Sequence, residues 1–273
     1  MKPPMRIYKY QPFNMHTLAN LKNRQVWFSK VASFNDPFER AYVIDQDIAA
    51  DDWRFIYARL RGSQFREKVP LTNEEWDTRY MTDGLINKKF KQEVQVGALG
   101  DLAKEGFAKG GVCCLTERND DILMWAHYAD GHRGFCLEFD TSFKPFNKLH
   151  QVTYQTQIPT FNPVRLFQGA EEFMRVLTTK FTAWEYEKEW RLFHAEGDTL
   201  FGYGVEALAR IYLGSNMDAT HKEIILHILH GSPTKFYRVN RSHKKFMVNF
   251  EAKEYVPYDY ETRRDAHSTP APD

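Results

Sequence analysis

The first residues of the chain alternate between apolar and polar positions in short runs that predict two strands and one helix. Arg6–Tyr10 and Gln25–Ser29 have the two-residue alternation of strands. Between them, Met15–Lys22 has helical spacing, and Asn14 stands where an N-cap belongs. Ser33–Pro37 follows the second strand, and its Asn, Asp and Pro favour a turn.

The pattern changes to charged residues with helical periodicity from Asp45 to Lys109. The stretch contains DDWRFIYARLRG and TNEEWDTRYMTDGLINKKFKQEV, and Thr72–Glu75 resembles a capping box. Gly110 and Gly111 end it. We interpret the region as a helical lobe inserted between sheet elements, at about residues 45–109.

The second half of the chain returns to strands separated by shorter helical segments. Strands are predicted at Val112–Thr116, Gly134–Phe139, Val152–Tyr154, Glu185–Phe193, Val205–Leu213, Phe236–Val239 and Lys245–Asn249. Helices are predicted at Asn119–Ala129, Ala170–Phe181 and His221–Leu229. The pattern favours one α+β domain over residues 1–262 with a split, mostly antiparallel sheet. Residues 263–273 are polar and contain proline, so we expect a disordered tail.

Composition narrows the classes of protein that need to be considered. Lys and Arg number 37 and Asp and Glu 36, so a field that attracts nucleic acid to the whole surface is excluded, although a local patch is not. No apolar run approaches the roughly 20 residues that span a bilayer. The start, MKPPMRIYKY, lacks the features of a signal peptide. Cys113, Cys114 and Cys136 form no C-x-x-C pair, which is typical of reduced thiols, and we expect a cytoplasmic protein without membrane contact.

The segment WEYEKEWR is the densest in potential chemistry. If it is a strand, Glu185, Glu187, Glu189 and Arg191 share one face, because side chains alternate between the faces of a strand. Clustered carboxylates raise one another's pKa, and a nearby guanidinium lowers it. A solvated strand face, with Arg191 pairing one glutamate, is the alternative, and a helix would place Glu185 and Glu189 at i and i+4.

Two further segments supply candidate binding groups. On the helix within DDILMWAHYADGH, Trp125 and Tyr128 can line a pocket beside His127, which can donate a hydrogen bond or be a half-buried structural histidine. FNDPFE presents Asn35 in a turn whose polar groups can bond either backbone or ligand. The chain has no HExxH pattern and no glycine-rich phosphate loop, so we predict no metal ligands at these positions.

Four separated motifs, in order, resemble a bacterial family catalogued as domain of unknown function 2971. They are IYKY, LKNRQVWFSKVASFNDPFE, LMWAHYADGHRGFCLEF and KFTAWEYEKEWRLF. The layout also resembles the ADP-ribosyltransferase fold. Those enzymes carry a basic residue or His on a first strand, a Ser or aromatic residue on a second, and a catalytic Glu on a later one. Lys9, Ser29 and Glu189 stand at these places, with Arg6 as the alternative to Lys9, because the superfamily has Arg or His there.

The resemblance implies an enzyme that uses NAD as its substrate to modify a nucleic acid or a protein. Glu189 would stabilise the oxocarbenium-like ribose as nicotinamide leaves, and Glu187 would activate the acceptor. The implied NAD-binding residues, for stacking or for hydrogen bonds, are Lys9, Tyr10, Ser29, Asn35, Trp125, His127, Tyr128 and Arg191.

Three hypotheses of function follow. The first is an ADP-ribosyltransferase, an activity that would suit a toxin or a phage-defence effector. The second is a binding module without catalysis, whose aromatic-lined pocket holds a nucleotide or a partner segment. The third is a nuclease that binds Mg²⁺ or Mn²⁺. Its ligands would come from Glu185, Glu187, Glu189, Asp36 and His127.

Overall fold

The computed structural model of the chain describes residues 2–39, 41–45, 48–63, 69–94, 109–162, 165 and 171–254. Helices in these ranges are α1 (Met15–Lys22), α2 (Ala50–Gly62), α3 (Asn73–Tyr80), α4 (Lys88–Glu93), α5 (Ile122–Tyr128), α6 (Glu171–Leu177) and α7 (Ala219–Ile228). Strands β1 to β8 are Arg6–Gln11, Gln25–Lys30, Val43–Ile44, Met81–Thr82, Leu85–Ile86, Gly111–Thr116, Phe135–Asp140 and His150–Gln151. Strands β9 to β16 are Thr153–Gln155, Thr160–Phe161, Thr179–Phe181, Glu189–His194, Thr199–Gly202, Leu208–Leu213, Lys235–Arg241 and Val248–Lys253.

The protein has an α+β fold built on a largely antiparallel sheet, as the sequence pattern predicts. Eight strands follow the order β13-β2-β6-β1-β7-β14-β15-β16, and β12 pairs with both β6 and β8. Within this sheet, β14 and β15 are parallel, and the other pairings are antiparallel.

Two apolar clusters cover the two faces of the central strands. Phe135, Leu137 and Phe139 of β7 pack with α1 and α7 in the larger cluster. Cys136 lies on the opposite face and packs with Trp125 of α5. The alternation of side chains along β7 therefore buries the strand on both sides.

Local capping explains where the helices next to the sheet begin. Asn14 accepts a hydrogen bond from the Thr17 backbone N–H and completes a capping box, as the sequence predicts for an N-cap. Asp121 accepts from the backbone N–H groups of Leu123 and Met124, so α5 begins at Ile122 rather than at Asn119.

The predicted helical lobe contains α2, α3 and α4, a short hairpin of β4 and β5, and an apolar cluster of its own. Thr72 and Glu75 form the predicted capping box of α3. Residues 64–68 and 95–108 of this lobe, and the predicted tail at 263–273, lie outside the described residues. The domain bounds remain a prediction.

Four further predicted elements differ from the structure. The strand predicted over Val205–Leu213 is a 3-10 helix over Val205–Ala207 followed by β14. The helix predicted over Ala170–Phe181 ends at Leu177 and is followed by β11. The strand predicted over Lys245–Asn249 is instead β16, which begins at Val248. The strand predicted over Glu185–Phe193 is a 3-10 helix over Thr182–Glu187 followed by β12.

Candidate functional site

The site lies where the sheet divides beside β6. One edge of β6 pairs with β12 along its length, from Glu189 opposite Thr116 to His194 opposite Gly111. The other edge pairs with β2 only at its start and with β1 only at its end. In the gap, the Lys9 Nζ donates a hydrogen bond to the Cys114 carbonyl oxygen at 3.0 Å. A cleft therefore opens between β1 and β2 over the middle of β6.

Five buried charged side chains meet at one end of this cleft, and we call them the charge cluster. They are Glu39, Lys180, Glu187, Glu189 and Arg191. The Lys180 Nζ lies 3.2 Å from a Glu39 carboxylate oxygen and 3.2 Å from one of Glu189. The Arg191 Nη2 donates to the same two carboxylates, at 2.7 Å and 2.9 Å. The two cations and these two anions thus form a closed ring.

Of the two cations in this ring, Lys180 is the one that contacts Glu187. The Lys180 Nζ donates to its Oε2 at 2.6 Å, and the Tyr128 hydroxyl donates to its Oε1 at 2.6 Å. The charge cluster therefore holds three carboxylates against two cations. Glu187 is the carboxylate with one cationic partner, whereas Glu39 and Glu189 are each paired with both cations.

The two glutamates on either side of Lys188 have opposed protonation behaviour. Burial alone would raise the pKa of Glu189, but the charges of Arg191 and Lys180 outweigh it and lower that pKa to about 2. Burial raises the pKa of Glu187, and the charge of Lys180 and the Tyr128 hydrogen bond offset only part of this rise. Glu189 is thus held as an anion, whereas Glu187 is disposed to accept a proton.

The local backbone explains how both glutamates face one point. Lys188 adopts a left-handed conformation with φ of 43°, between the 3-10 helix and β12. This reversal, rather than strand alternation, brings the Glu187 carboxylate beside that of Glu189. Glu185 does not join them, since its side chain is 57% exposed and pairs with Lys188. The predicted face of three glutamates and one arginine is therefore wrong for Glu185.

A cavity of about 290 Å³ lies over the charge cluster, and we call it the carboxylate cavity. Its lining residues are Tyr8, Lys9, Tyr10, Ser33, Phe34, Asn35, Glu39, Cys114, Leu115, Thr116, Met124, Tyr128, Lys180, Glu187 and Glu189. Six of the predicted site residues are brought together here. They are Lys9, Tyr10, Asn35, Tyr128, Glu187 and Glu189.

The other predicted site residues lie around the cavity or away from it. Arg191 is fully buried behind Glu189 and lies under the Phe34 ring. Trp125 is fully buried, and its indole N–H donates to the Asn119 carbonyl oxygen at 2.8 Å, which is a structural role. His127 is exposed on α5 and is not among the lining residues. Ser29 lines a neighbouring cavity instead.

Arg6, the alternative to Lys9, lies outside this cavity. It pairs with Asp140 at 2.5 Å and lies 3.6 Å from Glu138. Lys9 is therefore the first-strand cation that faces the cleft.

Sequence reasoning missed the second cation of the charge cluster and one of its anions. The periodicity predicts a helix over Lys180, and Glu39 stands at the end of the FNDPFE motif with no predicted partner. Lys180 is 6% exposed and Glu39 3% exposed, so both require the partners described above. The FNDPFE motif carries Glu39, but the sequence gives no sign that its partners lie on β11 and β12.

One polar group in the cavity wall has no partner in the described part of the protein. The Tyr10 hydroxyl is buried and makes no hydrogen bond there. An unpaired buried donor costs free energy that a bound ligand can recover. A ligand group that reached the Tyr10 hydroxyl from the carboxylate cavity would recover this free energy.

Comparison with known proteins gives one family match. Residues 124–192 match a family described as "Protein of unknown function (DUF2971)". The matched stretch includes Tyr128, Lys180, Glu187, Glu189 and Arg191, while the β1 side of the cleft lies outside it. No curated protein and no solved structure matches the chain.

Two kinds of feature are absent from the described ranges. No group of three or more His, Cys, Asp or Glu side chains in these ranges is arranged to hold a metal ion. None of the helices that the structure describes combines the length and hydropathy that crossing a bilayer requires.

Proposed function

We propose that the protein is an ADP-ribosyltransferase-like enzyme that uses NAD as its substrate and transfers ADP-ribose to a nucleic acid or a protein. One observation carries the proposal. The charge cluster has one more carboxylate than it has cations, and Glu187, the carboxylate that contacts one cation instead of two, lines a cavity walled by Tyr8, Tyr10 and Tyr128. Aromatic walls beside two glutamates suit the flat nicotinamide ring of NAD, and Lys9 in the same wall balances the third carboxylate of the charge cluster.

The reaction assigns a different task to each glutamate. The bond between the ribose carbon and the nicotinamide nitrogen breaks, nicotinamide leaves with the bonding electron pair, and positive charge develops on the ribose. Glu189, held ionised, stabilises this charge. Glu187, whose pKa is raised, accepts the proton that the acceptor loses as its oxygen or nitrogen bonds to the ribose carbon.

The side chains around the glutamates support this assignment. Tyr10, whose hydroxyl has no partner in the described residues, lines the cavity, and Asn35 offers a carboxamide from the turn after β2. Lys180 and Arg191 hold the carboxylates in place, so little reorganisation is needed when charge develops on the ribose.

A second candidate is a nucleotide-binding module without catalysis. The observation in its favour is that both oxygens of Glu189 already accept hydrogen bonds, Oε1 from Arg191 and Oε2 from Arg191 and Lys180. In that case the charge cluster is a structural support, and NAD binds without being cleaved.

Nicotinamide release from NAD, followed with and without nucleic acid or cell lysate, separates the two candidates. We expect release by the wild type and a loss of at least about a hundredfold in Glu189→Gln, the scale on which electrostatic catalytic groups act. Glu185→Gln is the matched control, because Glu185 belongs to the same segment but is exposed. Binding without release would favour the module, and full activity of a folded Glu189→Gln would remove Glu189 from the mechanism.

A further inference from the structure

A second cavity, of about 540 Å³, adjoins the carboxylate cavity on the side of α1 and β2. We call it the amide lobe. The lining residues that could contact a ligand include Gln11, Asn20, Trp27, Ser29 and Leu200. Lys9, Phe34 and Cys114 also line the carboxylate cavity, so the two spaces meet along the middle of β6.

Three polar side chains of the amide lobe are free to bind a ligand, whereas Lys9 and Thr17 already make hydrogen bonds. Asn14 uses its Oδ1 to cap α1. Within the described ranges, the side chains of Gln11, Asn20 and Ser29 make no hydrogen bond to other residues, although all three are partly buried. Two carboxamides and a hydroxyl therefore offer donors and acceptors side by side.

One wall of the amide lobe is apolar and flat. Trp27 on β2 lies opposite Leu200 on β13, so both side chains stand on the same face of the sheet. They are 39% and 41% exposed, which leaves an indole face and an isobutyl group open to a ligand. An exposed indole beside unpaired carboxamides is the combination with which proteins stack and hydrogen-bond a heteroaromatic ring.

The charge of the amide lobe is opposite in character to that of the carboxylate cavity. Of the described residues that line the lobe, none is acidic, and Lys9 and His16 are the basic ones. A neutral ring with a polar edge, attached to an anionic phosphate, suits these walls better than a cation does.

We propose that the amide lobe is a nucleobase-binding site. Trp27 stacks on the base, and the carboxamides of Gln11 and Asn20 bond its polar edge. The base has two sources, the adenine half of the NAD held in the carboxylate cavity or an unpaired base of a nucleic-acid acceptor. The choice between these sources rests on the proposed function, whereas the recognition of a nucleobase does not.

The test compares dissociation constants of AMP, nicotinamide mononucleotide, NAD and a short single-stranded oligonucleotide of mixed sequence, in DNA and RNA form. Trp27→Ala and Asn20→Ala are the test variants. Asn23→Ala is the matched control, because Asn23 lies at the exposed end of α1 outside the lobe. Thermal unfolding of each variant establishes that it is folded.

We expect Trp27→Ala and Asn20→Ala each to weaken the binding of a base-containing ligand at least about fivefold, the scale of one stacking or hydrogen-bonding contact. Nicotinamide mononucleotide, which lacks a second base, should bind all variants equally. Weaker AMP binding reports loss of base recognition itself. Weaker NAD binding identifies the base as the adenine of NAD, and weaker oligonucleotide binding with unchanged NAD binding identifies it as an acceptor base. Wild-type protein that binds none of these ligands, or test variants that bind them as the wild type does, would overturn the proposal.

Nicotinamide release distinguishes failure of this proposal from failure of the proposed function. Base binding that depends on Trp27, in a protein that releases no nicotinamide, would refute the transferase and leave the nucleobase site standing. Nicotinamide release with unchanged KM for NAD and for the acceptor in both test variants would refute the nucleobase site and leave the transferase standing.

Discussion

Arg191 holds Glu189 side-on, with its Nε donating to Oε1 at 2.8 Å and its Nη2 donating to Oε2 at 2.9 Å. The two residues are two positions apart on β12 and so lie on the same face of the strand. Both are buried, and the remaining guanidinium nitrogen, Nη1, donates to the Leu177 carbonyl oxygen. This paired geometry fixes the Glu189 carboxylate at the floor of the carboxylate cavity.

Arg191→Met is expected to lower the free energy of unfolding by about 3–5 kcal/mol, because it leaves Glu39 and Glu189 buried without one of the two cations that they share. Urea unfolding at neutral pH measures this change. Lys188→Met is the control, since it removes an exposed ion pair with Glu185 and should cost at most about 1 kcal/mol. Equal losses in the two variants would mean that the charge cluster does not stabilise the fold.

Acid should weaken the fold through Glu189. Its pKa is about 2 in the folded protein and about 4.5 when unfolded, so the unfolded state binds more protons between these values. Stability contributed by Glu189 is therefore present above pH 4.5 and lost as the pH falls towards 2, by about 3 kcal/mol in total. Urea unfolding across this range measures the loss. A Glu189→Gln protein whose stability falls as steeply as that of wild type would contradict this assignment.

Tyr128→Phe should move the acidic limb of the pH–activity profile to higher pH. The Tyr128 hydroxyl donates to Glu187 and lowers its pKa, so removal of the hydroxyl raises that pKa further. If Glu187 acts as the base, activity requires its ionised form and rises as the pH passes its pKa. Tyr186→Phe, a neighbouring tyrosine of the same apolar cluster, is the control. An unchanged limb in Tyr128→Phe would exclude Glu187 as the base.

Tyr10→Phe should raise the stability of the protein and lower its affinity for NAD. The Tyr10 hydroxyl loses its hydrogen bond to water on folding and gains none in the described part of the protein. Its removal should therefore raise the free energy of unfolding of the ligand-free protein by about 1 kcal/mol. NAD should nevertheless bind more weakly, because one of its polar atoms loses a hydrogen bond to the Tyr10 hydroxyl. Tyr203 carries a second buried hydroxyl that lacks a partner in the described residues, and it is not among the lining residues of the cavity.

Tyr203→Phe is therefore the matched control for Tyr10→Phe. It should gain stability in the same way and leave NAD affinity unchanged. Stability follows from thermal unfolding and affinity from calorimetric titration. If Tyr10→Phe binds NAD as tightly as Tyr203→Phe does, the Tyr10 hydroxyl does not contact the ligand.

The sequence predicts those parts of the fold that local pattern determines. The Asn14 cap, the capping box of Thr72 and Glu75, and most strand positions depend on neighbours a few residues away. The reversal at Lys188 escapes prediction, because a left-handed conformation is uncommon for a residue other than glycine and the EKE pattern equally suits a strand.

The charge cluster could be predicted only in part. Glu187, Glu189 and Arg191 lie close together in the sequence, so the sequence alone indicates them as candidate site residues. Lys180 and Glu39 join them through long-range contacts that no local pattern records. These charges need one another as partners because they are buried, and their burial follows from tertiary packing alone.

The most direct test of the central claim is a single-turnover incubation of wild-type protein in excess over NAD labelled in the nicotinamide ring. Free labelled nicotinamide is measured over time, beside Glu189→Gln and Glu185→Gln. We predict release by the wild type and by Glu185→Gln, and none above background by a folded Glu189→Gln that still binds NAD. NAD bound to the wild type and recovered intact, with and without nucleic acid or lysate, would contradict the account.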